Sequence, residues 1–362
     1  MIVEALTRHG WDSRVAKQFE AIATDGQQPG RVLIEHRGSY VVATEAGDIS
    51  ASVSGRFRHE AAAAEEFPAV GDWVVMSESH EKTAIIHAVL PRSSQFVRSG
   101  RGDMPGAQVV AANVDLVLLV TGLDHDFNLR RLERYVTLAW SSGAEPVIVL
   151  NKADLCEDVA ERVAEVNGIA PGVPVRVLSA RDGVGIDSLR PLLEEGKTVA
   201  LIGSSGVGKS TIVNALLGWE RQQIGEVRES DQRGRHTTTV RELMVTDSGA
   251  LLIDNPGMRS VGMWDADEGM ADAFADVDAF AVECRFSDCA HEGEPGCAVL
   301  AAIADGRLPL ARLESQRKLG RESAAQVRRQ DAALRATERK RWKTIHKSVR
   351  NHMRIKYGPD AR

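Results

Sequence analysis

Gly203-Ser204-Ser205-Gly206-Val207-Gly208-Lys209-Ser210 is a phosphate loop of the GxxxxGKS pattern, and the rest of the chain is read outward from it. The apolar run Thr198-Val199-Ala200-Leu201-Ile202 before it predicts a buried strand. The run Thr211-Ile212-Val213-Asn214-Ala215-Leu216-Leu217 after it predicts an amphipathic helix that stops at Gly218. Strand, glycine loop and helix in that order are the context in which such a loop cradles phosphate. Its glycines let backbone N–H groups curl around phosphate oxygens, and the helix N-terminus adds partial positive charge. Lys209 has the reach for β- and γ-phosphates, and the Ser210 hydroxyl suits magnesium. The expected nucleotide contacts therefore run from Gly203 to Thr211.

Upstream, Val114-Asp115-Leu116-Val117-Leu118-Leu119-Val120 predicts a second buried strand, followed by a helix over 129–140. A third strand, Pro146-Val147-Ile148-Val149-Leu150, runs into Asn151-Lys152-Ala153-Asp154, which matches the NKxD base-recognition pattern. A carboxylate at Asp154 accepts from both N1–H and the exocyclic amine of guanine, whereas adenine presents a bare acceptor at N1. Asn151 is placed to tie this loop to the phosphate loop, and the stem of Lys152 to cover the base. A fourth strand, Val175-Arg176-Val177-Leu178, ends at Ser179-Ala180, a candidate backbone donor to the guanine carbonyl. Strands alternating with helices, with polar motifs at their carboxyl ends, predict a parallel α/β sheet with its ligand along that edge.

Downstream, Gly234-Arg235-His236-Thr237-Thr238-Thr239 precedes Leu251-Leu252-Ile253-Asp254-Asn255-Pro256-Gly257, a strand ending in DxxG. Asp254 is expected to hold magnesium through water, Gly257 to offer its N–H to the γ-phosphate, and one of Thr237, Thr238 and Thr239, which the spacing does not separate and of which Thr238 is the choice, to close over the metal with Ser210. The set is complete, but its order is NKxD, Ser-Ala, phosphate loop, threonines, DxxG, whereas ordinary GTPases begin with the phosphate loop. The same sheet carries both orders if the original termini are joined and the chain is cut at another exposed loop.

The flanks differ in kind. At 362 residues the chain exceeds one hydrophobic core, so two or three domains are expected. Trp11-Asp12-Ser13-Arg14-Val15-Ala16-Lys17-Gln18-Phe19 has the spacing of a short helix. Short β-like runs follow at Val32-Leu33-Ile34, Tyr40-Val41-Val42, 49–53, Trp73-Val74-Val75-Met76 and 84–90, which predict a small barrel over about 31–92, with the oligonucleotide-binding type as the leading candidate beside an SH3-like barrel without a ligand. Arg31, Arg37, Arg56 and Arg58 are available there for phosphate contacts, or equally form a solvated face. Residues 93–110 are polar and Gly-rich and read as a linker.

Cys284, Cys289, His291 and Cys297 give three thiolates and an imidazole among turn-forming Gly293, Pro295 and Gly296. Such a donor set makes a closed tetrahedral zinc site with no open position for catalysis. Cys156, alone in sequence, reads as a packed thiol. The net charge of −6 conceals an asymmetry: residues 333–362 carry ten Lys or Arg against two acids, a local +8, so the remainder sums to −14. Trp342, Ile345, Val349 and Met353 recur there at helical spacing among basic residues, a pattern for packing on one side and meeting RNA phosphate on the other. No run approaches a membrane span and no secretory leader is evident, so a cytoplasmic protein without a membrane partner is expected.

The permuted order, with a barrel before it and a cysteine segment after it, resembles the RsgA (YjeQ) family, circularly permuted GTPases of small ribosomal subunit maturation. Val70-Gly71-Asp72-Trp73-Val74 and Ala111-Ala112-Asn113-Val114-Asp115 extend the likeness over nearly the whole chain; Asn255, where relatives commonly carry Thr or Ser, departs from it. The resemblance implies an N-terminal OB-like β-barrel within 1–92, a circularly permuted α/β P-loop GTPase over 93–262, and a zinc-binding basic helical domain over 263–362. It implies hydrolysis of GTP to GDP with Mg2+, one structural Zn2+, and a monomer that binds the small ribosomal subunit and its rRNA. Met258 follows DxxG where familiar GTPases carry a water-orienting glutamine, and a thioether cannot take that role. The resemblance implies that His236 replaces it when the subunit orders the loop; the alternative is a solvated His236 with the missing group supplied by the ribosome. Arg233, Arg235 and Arg259 are candidate charge stabilisers that the sequence does not rank. Two rival readings are a GTP-sensing rRNA-binding module whose hydrolysis is incidental, and a permuted GTPase acting on another RNA or on the large subunit.

Overall fold

The structure, a computed structural model, describes residues 4–36, 38–61, 63–79, 83–99, 107–217, 241–254, 267–325 and 328. The chain begins with α1 (Glu4–Thr7) and α2 (Ser13–Ile22). Asp12 caps α2, its carboxylate accepting from the Val15 N–H at 2.8 Å, which starts the helix after the tryptophan rather than at it. Val15 and Phe19, four residues apart, point into the core, and Trp11 meets Trp73 edge to face at 5.1 Å between ring centroids.

Five strands then close on themselves: β1 (Gln28–His36), β2 (Ser39–Thr44), β3 (Gly47–Val53), β4 (Trp73–Ser79) and β5 (Thr83–Val89). Neighbours run β1-β2-β3-β5-β4 with β4 returning to β1, and only the β3–β5 pair is parallel. This is the five-stranded Greek-key closure of an OB-like barrel. Val32, Val42, Val74, Met76, Ala84 and Ile86 fill it, the inward half of each alternating strand. A short helix, α3 (Gly55–Glu60), packs below β5.

Residues 93–110 are more than a linker. β6 (Gln95–Ser99) and β7 (Ala107–Ala112) form an antiparallel pair, in which the apolar Phe96, Val97, Val109 and Val110 are buried. Arg31 is corrected as well. It is 2% exposed and donates to the carbonyls of His9, Gly71 and Asn113 and to Thr198 Oγ1, with its guanidinium over the Trp73 ring at 5.1 Å. A charge this deeply desolvated persists only with such partners, and even so burial pulls its pKa down to about 10. Arg31 is a buried tie, not a phosphate contact. Arg56 and Arg58 are exposed, and Arg37 lies outside the described residues.

The second sheet is built from β8 (Leu116–Gly122), β9 (Glu145–Asn151), β10 (Val175–Val177), β11 (Thr198–Ile202), β12 (Arg241–Val245) and β13 (Leu251–Asp254). Its order is β10-β9-β8-β11-β13-β12, parallel except at β12. Val117 and Leu119 face α4 (Leu129–Ser142) and α5 (Val159–Ile169), while Leu116, Leu118 and Val120 face α6 (Lys209–Leu217), so every β8 residue is covered. β12 also pairs with β1 through Ile34↔Glu242 and Glu35↔Arg241, and the barrel and the α/β sheet become one hydrogen-bonded surface.

Helices α7 (Asp267–Ala273), α8 (Ala275–Ala281), α9 (Ala298–Ala304) and α10 (310–325) follow. Their anchor is Arg312, 2% exposed, paired with Glu133 of α4 at 2.9 Å and with Asp276 at 2.6 Å, over the Phe274 ring at 4.5 Å. Ser315 donates to the other Glu133 oxygen at 2.6 Å, so the buried carboxylate is satisfied on both sides. Among the described residues no helix is long and apolar enough to cross a membrane.

Candidate nucleotide site and metal centre

Because β8, β9, β10, β11 and β13 are parallel, their carboxyl ends lie along one edge, and the motifs come together there. The phosphate loop turns out of β11 with positive φ at Gly206 and Gly208. A side chain on Gly203 would strike the Val120 carbonyl at 2.3 Å, and one on Gly208 would strike Asn151 Nδ2 at 2.2 Å, so both positions require glycine. Ser205, Gly206, Ser210 and Thr211 are exposed at this edge, whereas Val207 is buried against α6. Lys209 Nζ donates to the carbonyls of Gly203 and Ser204 at 2.7 and 2.5 Å, folding the ammonium back over its own loop.

Asn151 is the hub. Its Nδ2 donates to the Val207 carbonyl at 2.7 Å, and its Oδ1 accepts from the Ala180 N–H at 2.9 Å. One buried amide thus fixes the NKxD loop, the phosphate loop and the Ser-Ala element against one another. Asp154 stands exposed on a short 3-10 turn, Ala153–Leu155. The Ser179 N–H donates to the Val184 carbonyl and the Ala180 N–H to Asn151. A guanine carbonyl contact to this pair would therefore be shared with Asn151, a constraint invisible in the sequence.

Lys152 adopts a left-handed backbone, φ 63°, and its ammonium lies 2.7 Å from Asp124 Oδ2. Burial opposes charge on Asp124, but the Lys152 ammonium and the Asp126 N–H outweigh it and hold the carboxyl below the usual range. Asp124 escaped the sequence reading; the only available signal was a carboxylate two residues past the strand that runs beside the guanine motif. Asp254 ends β13, next to β11 at the same edge. His236, Thr238, Gly257, Met258, Asn255 and the arginines at 233, 235 and 259 lie outside the described residues, as does the basic segment 333–356.

The second cluster joins Cys284, Cys289, His291 and Cys297, whose ligand atoms all lie within 4.8 Å of one another. Cys284 Sγ is 3.9 Å from Cys297 Sγ and 3.6 Å from His291 Nδ1, which is 3.4 Å from Cys297 Sγ. Zinc–ligand bonds of about 2.0–2.3 Å at tetrahedral angles require ligand separations of about 3.5–3.8 Å, so the donor set fits the ion. His291 takes φ 60° to turn its ring inward, and Gly293 and Gly296 reverse the chain with positive φ. Glu294 accepts from the N–H groups of Ala290, Glu292 and Gly293 at 2.9, 2.7 and 3.1 Å, and backbone hydrogen bonds of this kind, its own N–H foremost, lower its pKa to about 2. Cys297 caps α9, its sulfur accepting from the Leu300 N–H at 3.4 Å. Cys156 lies apart, half-buried against the core.

Comparison with known proteins agrees with this geometry. The family model described as RsgA GTPase matches residues 89–264. A protein of Opitutus terrae named small ribosomal subunit biogenesis GTPase RsgA is 48% identical over 360 residues, covering 97% of this chain and 98% of that protein. A Streptomyces coelicolor protein of the same name is 44% identical, covering 94% of this chain and 92% of that protein. Among solved structures, YjeQ from Thermotoga maritima superposes with a TM-score of 0.62 at 29% identity, covering 82% of this chain and 99% of that one. YloQ, described as a circularly permuted GTPase, gives 0.59 at 25% identity over 83% of this chain and 96% of that one. With a barrel, a permuted nucleotide edge and a Cys3His cluster in one chain, and relatives of this identity over nearly its full length, this protein belongs to the RsgA family of GTPases.

Proposed function

We propose that this chain is a GTP hydrolase of small ribosomal subunit biogenesis that turns over GTP when it meets the subunit. The observation that supports the reading is the Asn151 amide, bonded at once to Val207 of the phosphate loop and Ala180 of the Ser-Ala element, which draws together three motif segments far apart in sequence. The names of the relatives, small ribosomal subunit biogenesis GTPase, supply the partner.

In this reading Asp154 selects guanine, Lys152 covers the base, and N–H groups from Gly203 to Thr211 hold phosphate oxygens. Lys209 leaves the Gly203 and Ser204 carbonyls for the β- and γ-phosphates when they arrive. Ser210, Asp254 and Thr238 would hold the Mg2+ that accompanies GTP, whose chemistry there is to draw charge from the β–γ bridge. Gly257 offers its N–H to the γ-phosphate. Met258 cannot orient water, so His236 takes that task in the subunit complex. Cys284, Cys289, His291 and Cys297 would hold one zinc ion as a closed clamp that fixes the C-terminal module without taking part in hydrolysis. The protein acts as a cytoplasmic monomer, with the barrel and the basic 333–356 segment meeting rRNA.

Sedimentation with separated subunits, in GDP or in a non-hydrolysable GTP analogue, tests the partner. Association with small subunits that strengthens in the analogue is the expected outcome. Preference for large subunits, or indifference to nucleotide, would overturn it.

A further inference from the structure

Asp124 stands two residues beyond Gly122, the last residue of β8, and its side chain is 11% exposed. One carboxylate oxygen accepts from the Asp126 N–H at 2.9 Å, and the other meets Lys152 Nζ at 2.7 Å. The two side chains meet because Gly122 and Asn151 are register partners across β8 and β9, and the Leu123 N–H extends the ladder to the Asn151 carbonyl at 2.8 Å. Lys152 is itself constrained: its left-handed backbone is unusual for a residue with a β carbon, and its carbonyl accepts from the Leu155 N–H at 3.0 Å. The fit is close enough that a β carbon on Gly122 would stand 2.7 Å from Asp124 Oδ1 and 3.4 Å from Lys152 Cδ. Carboxylate, turn and lysine stem form one preassembled unit beside Asn151.

From this geometry we infer that Asp124 is a positioning residue for the nucleotide site, pinning the Lys152 ammonium so that the lysine stem already lies across the face where guanine packs. The inference rests on the GTP reading given above and names a residue that the NKxD motif does not contain. A lysine without a partner loses much of its rotamer freedom when a base covers it, whereas a tethered one has lost it beforehand. The carboxylate touches neither phosphate nor base edge in this scheme, so it acts on affinity through Lys152 alone. GTP and GDP, which share the base, should feel it equally.

The test is a double-mutant cycle on the full chain, reading GTP and GDP affinity by fluorescent-nucleotide titration and folding by thermal unfolding. Asp124→Asn keeps an oxygen for the Asp126 N–H and removes the charge facing Lys152. It should weaken GTP and GDP alike by about 5- to 30-fold, the scale of one immobilised lysine. In a Lys152→Met background the same change should move affinity by under about twofold, because the partner is already gone. Gly122→Ala, which must displace the carboxylate without altering charge, should give a smaller loss in the same direction. Preference for guanosine over xanthosine nucleotides should stay intact in all of these, since Asp154 is untouched. Wild-type affinity in Asp124→Asn, or an equal loss whether or not Lys152 is present, would overturn the inference and leave Asp124 as a turn residue. Failure of the wild-type chain to bind guanine nucleotide would instead overturn the functional reading on which it stands.

Discussion

The nucleotide edge and the seam between barrel and GTPase are both built from buried polar ties, yet they depend on sequence in opposite ways. At the nucleotide edge the residues that matter sit in short motifs, and Asn151, Gly203, Gly208 and Lys209 are each explained by a contact to another motif residue or to an adjacent strand end. At the seam, Arg31 meets His9, Gly71, Asn113 and Thr198, residues with no motif in common. Gly71 takes φ 90°, and a side chain there would strike the Ala112 carbonyl at 2.2 Å, so barrel and GTPase touch backbone to backbone. Nearby, Arg92 holds the fully buried Asp72 through two bonds of 2.8 and 2.7 Å while also donating to the Glu65 and Phe67 carbonyls. Chemistry that recognises a ligand is written locally, whereas chemistry that joins domains is written across the chain.

The comparison is broken most forcefully at Arg31. Replacing it by methionine leaves three carbonyls and the Thr198 hydroxyl without their shared donor, and about 3–5 kcal/mol of stability should be lost, the cost of several buried acceptors left unsatisfied at about 1–3 kcal/mol each and not fully additive. Denaturant unfolding measures this, with Arg56→Ala as the exposed control, expected to leave stability unchanged. A mild Arg31→Met would mean that the seam is not held by this residue. Thr198 opens the strand that leads into the phosphate loop, so the same variant should also weaken nucleotide binding, which Arg56→Ala should not.

Next in size is the base. Asp154→Asn should weaken GTP by about 10²- to 10³-fold, on the scale of a lost paired donor set, and should bring xanthosine triphosphate to comparable or better affinity. Stability should stay near wild type, because Asp154 is exposed. Unchanged guanine preference would detach Asp154 from the base.

Metal removal probes a third region. Chelation, or Cys289→Ala, should make residues 284–304 sensitive to protease while GTP affinity changes by under about threefold, since the cluster and the nucleotide edge share no ligand. Protein carrying no zinc by elemental analysis after careful preparation would remove the site.

A further expected effect is one of pH at the seam. His9 is buried with its pKa lowered from 6.5 to about 4, by burial first and then by Arg8 and Arg31. Because the folded state binds the proton less readily than the unfolded chain, its contribution is complete above about pH 6.5 and is lost as pH falls toward 4. A stability profile that steepens in this window, and flattens in His9→Phe, is the expected result. The same slope in both proteins would assign the titration elsewhere.

Much of the fold was legible because its strands keep strict period. β11 was read to the residue, and the barrel strands and β9 to within a few, since apolar alternation and continuous apolar runs carry their own boundaries. The β6–β7 pair is hidden in the sequence because its buried residues flank a Gly-rich stretch that looks like a linker in one dimension. Nothing local in the sequence distinguishes the buried Arg31 from the exposed Arg56; its partners lie up to 167 positions away. Asp124 and the Glu133–Arg312–Asp276 network were invisible for the same reason, as topology alone brings them together. The Ser179-Ala180 pair was identified, but the use of the Ala180 N–H by Asn151 needed the three-dimensional arrangement.

The central claim, a guanine-nucleotide edge whose catalytic element is completed only on the small subunit, is tested most directly by GTP turnover of the purified chain with and without small ribosomal subunits, for wild type and His236→Ala. The account predicts slow turnover alone and a rise of about 10³- to 10⁵-fold on subunits for the wild type, the range an ordered or supplied catalytic group gives elsewhere. His236→Ala should still bind GTP and subunits while losing most of that stimulation. Fast turnover without subunits, or full stimulation in the variant, would contradict it.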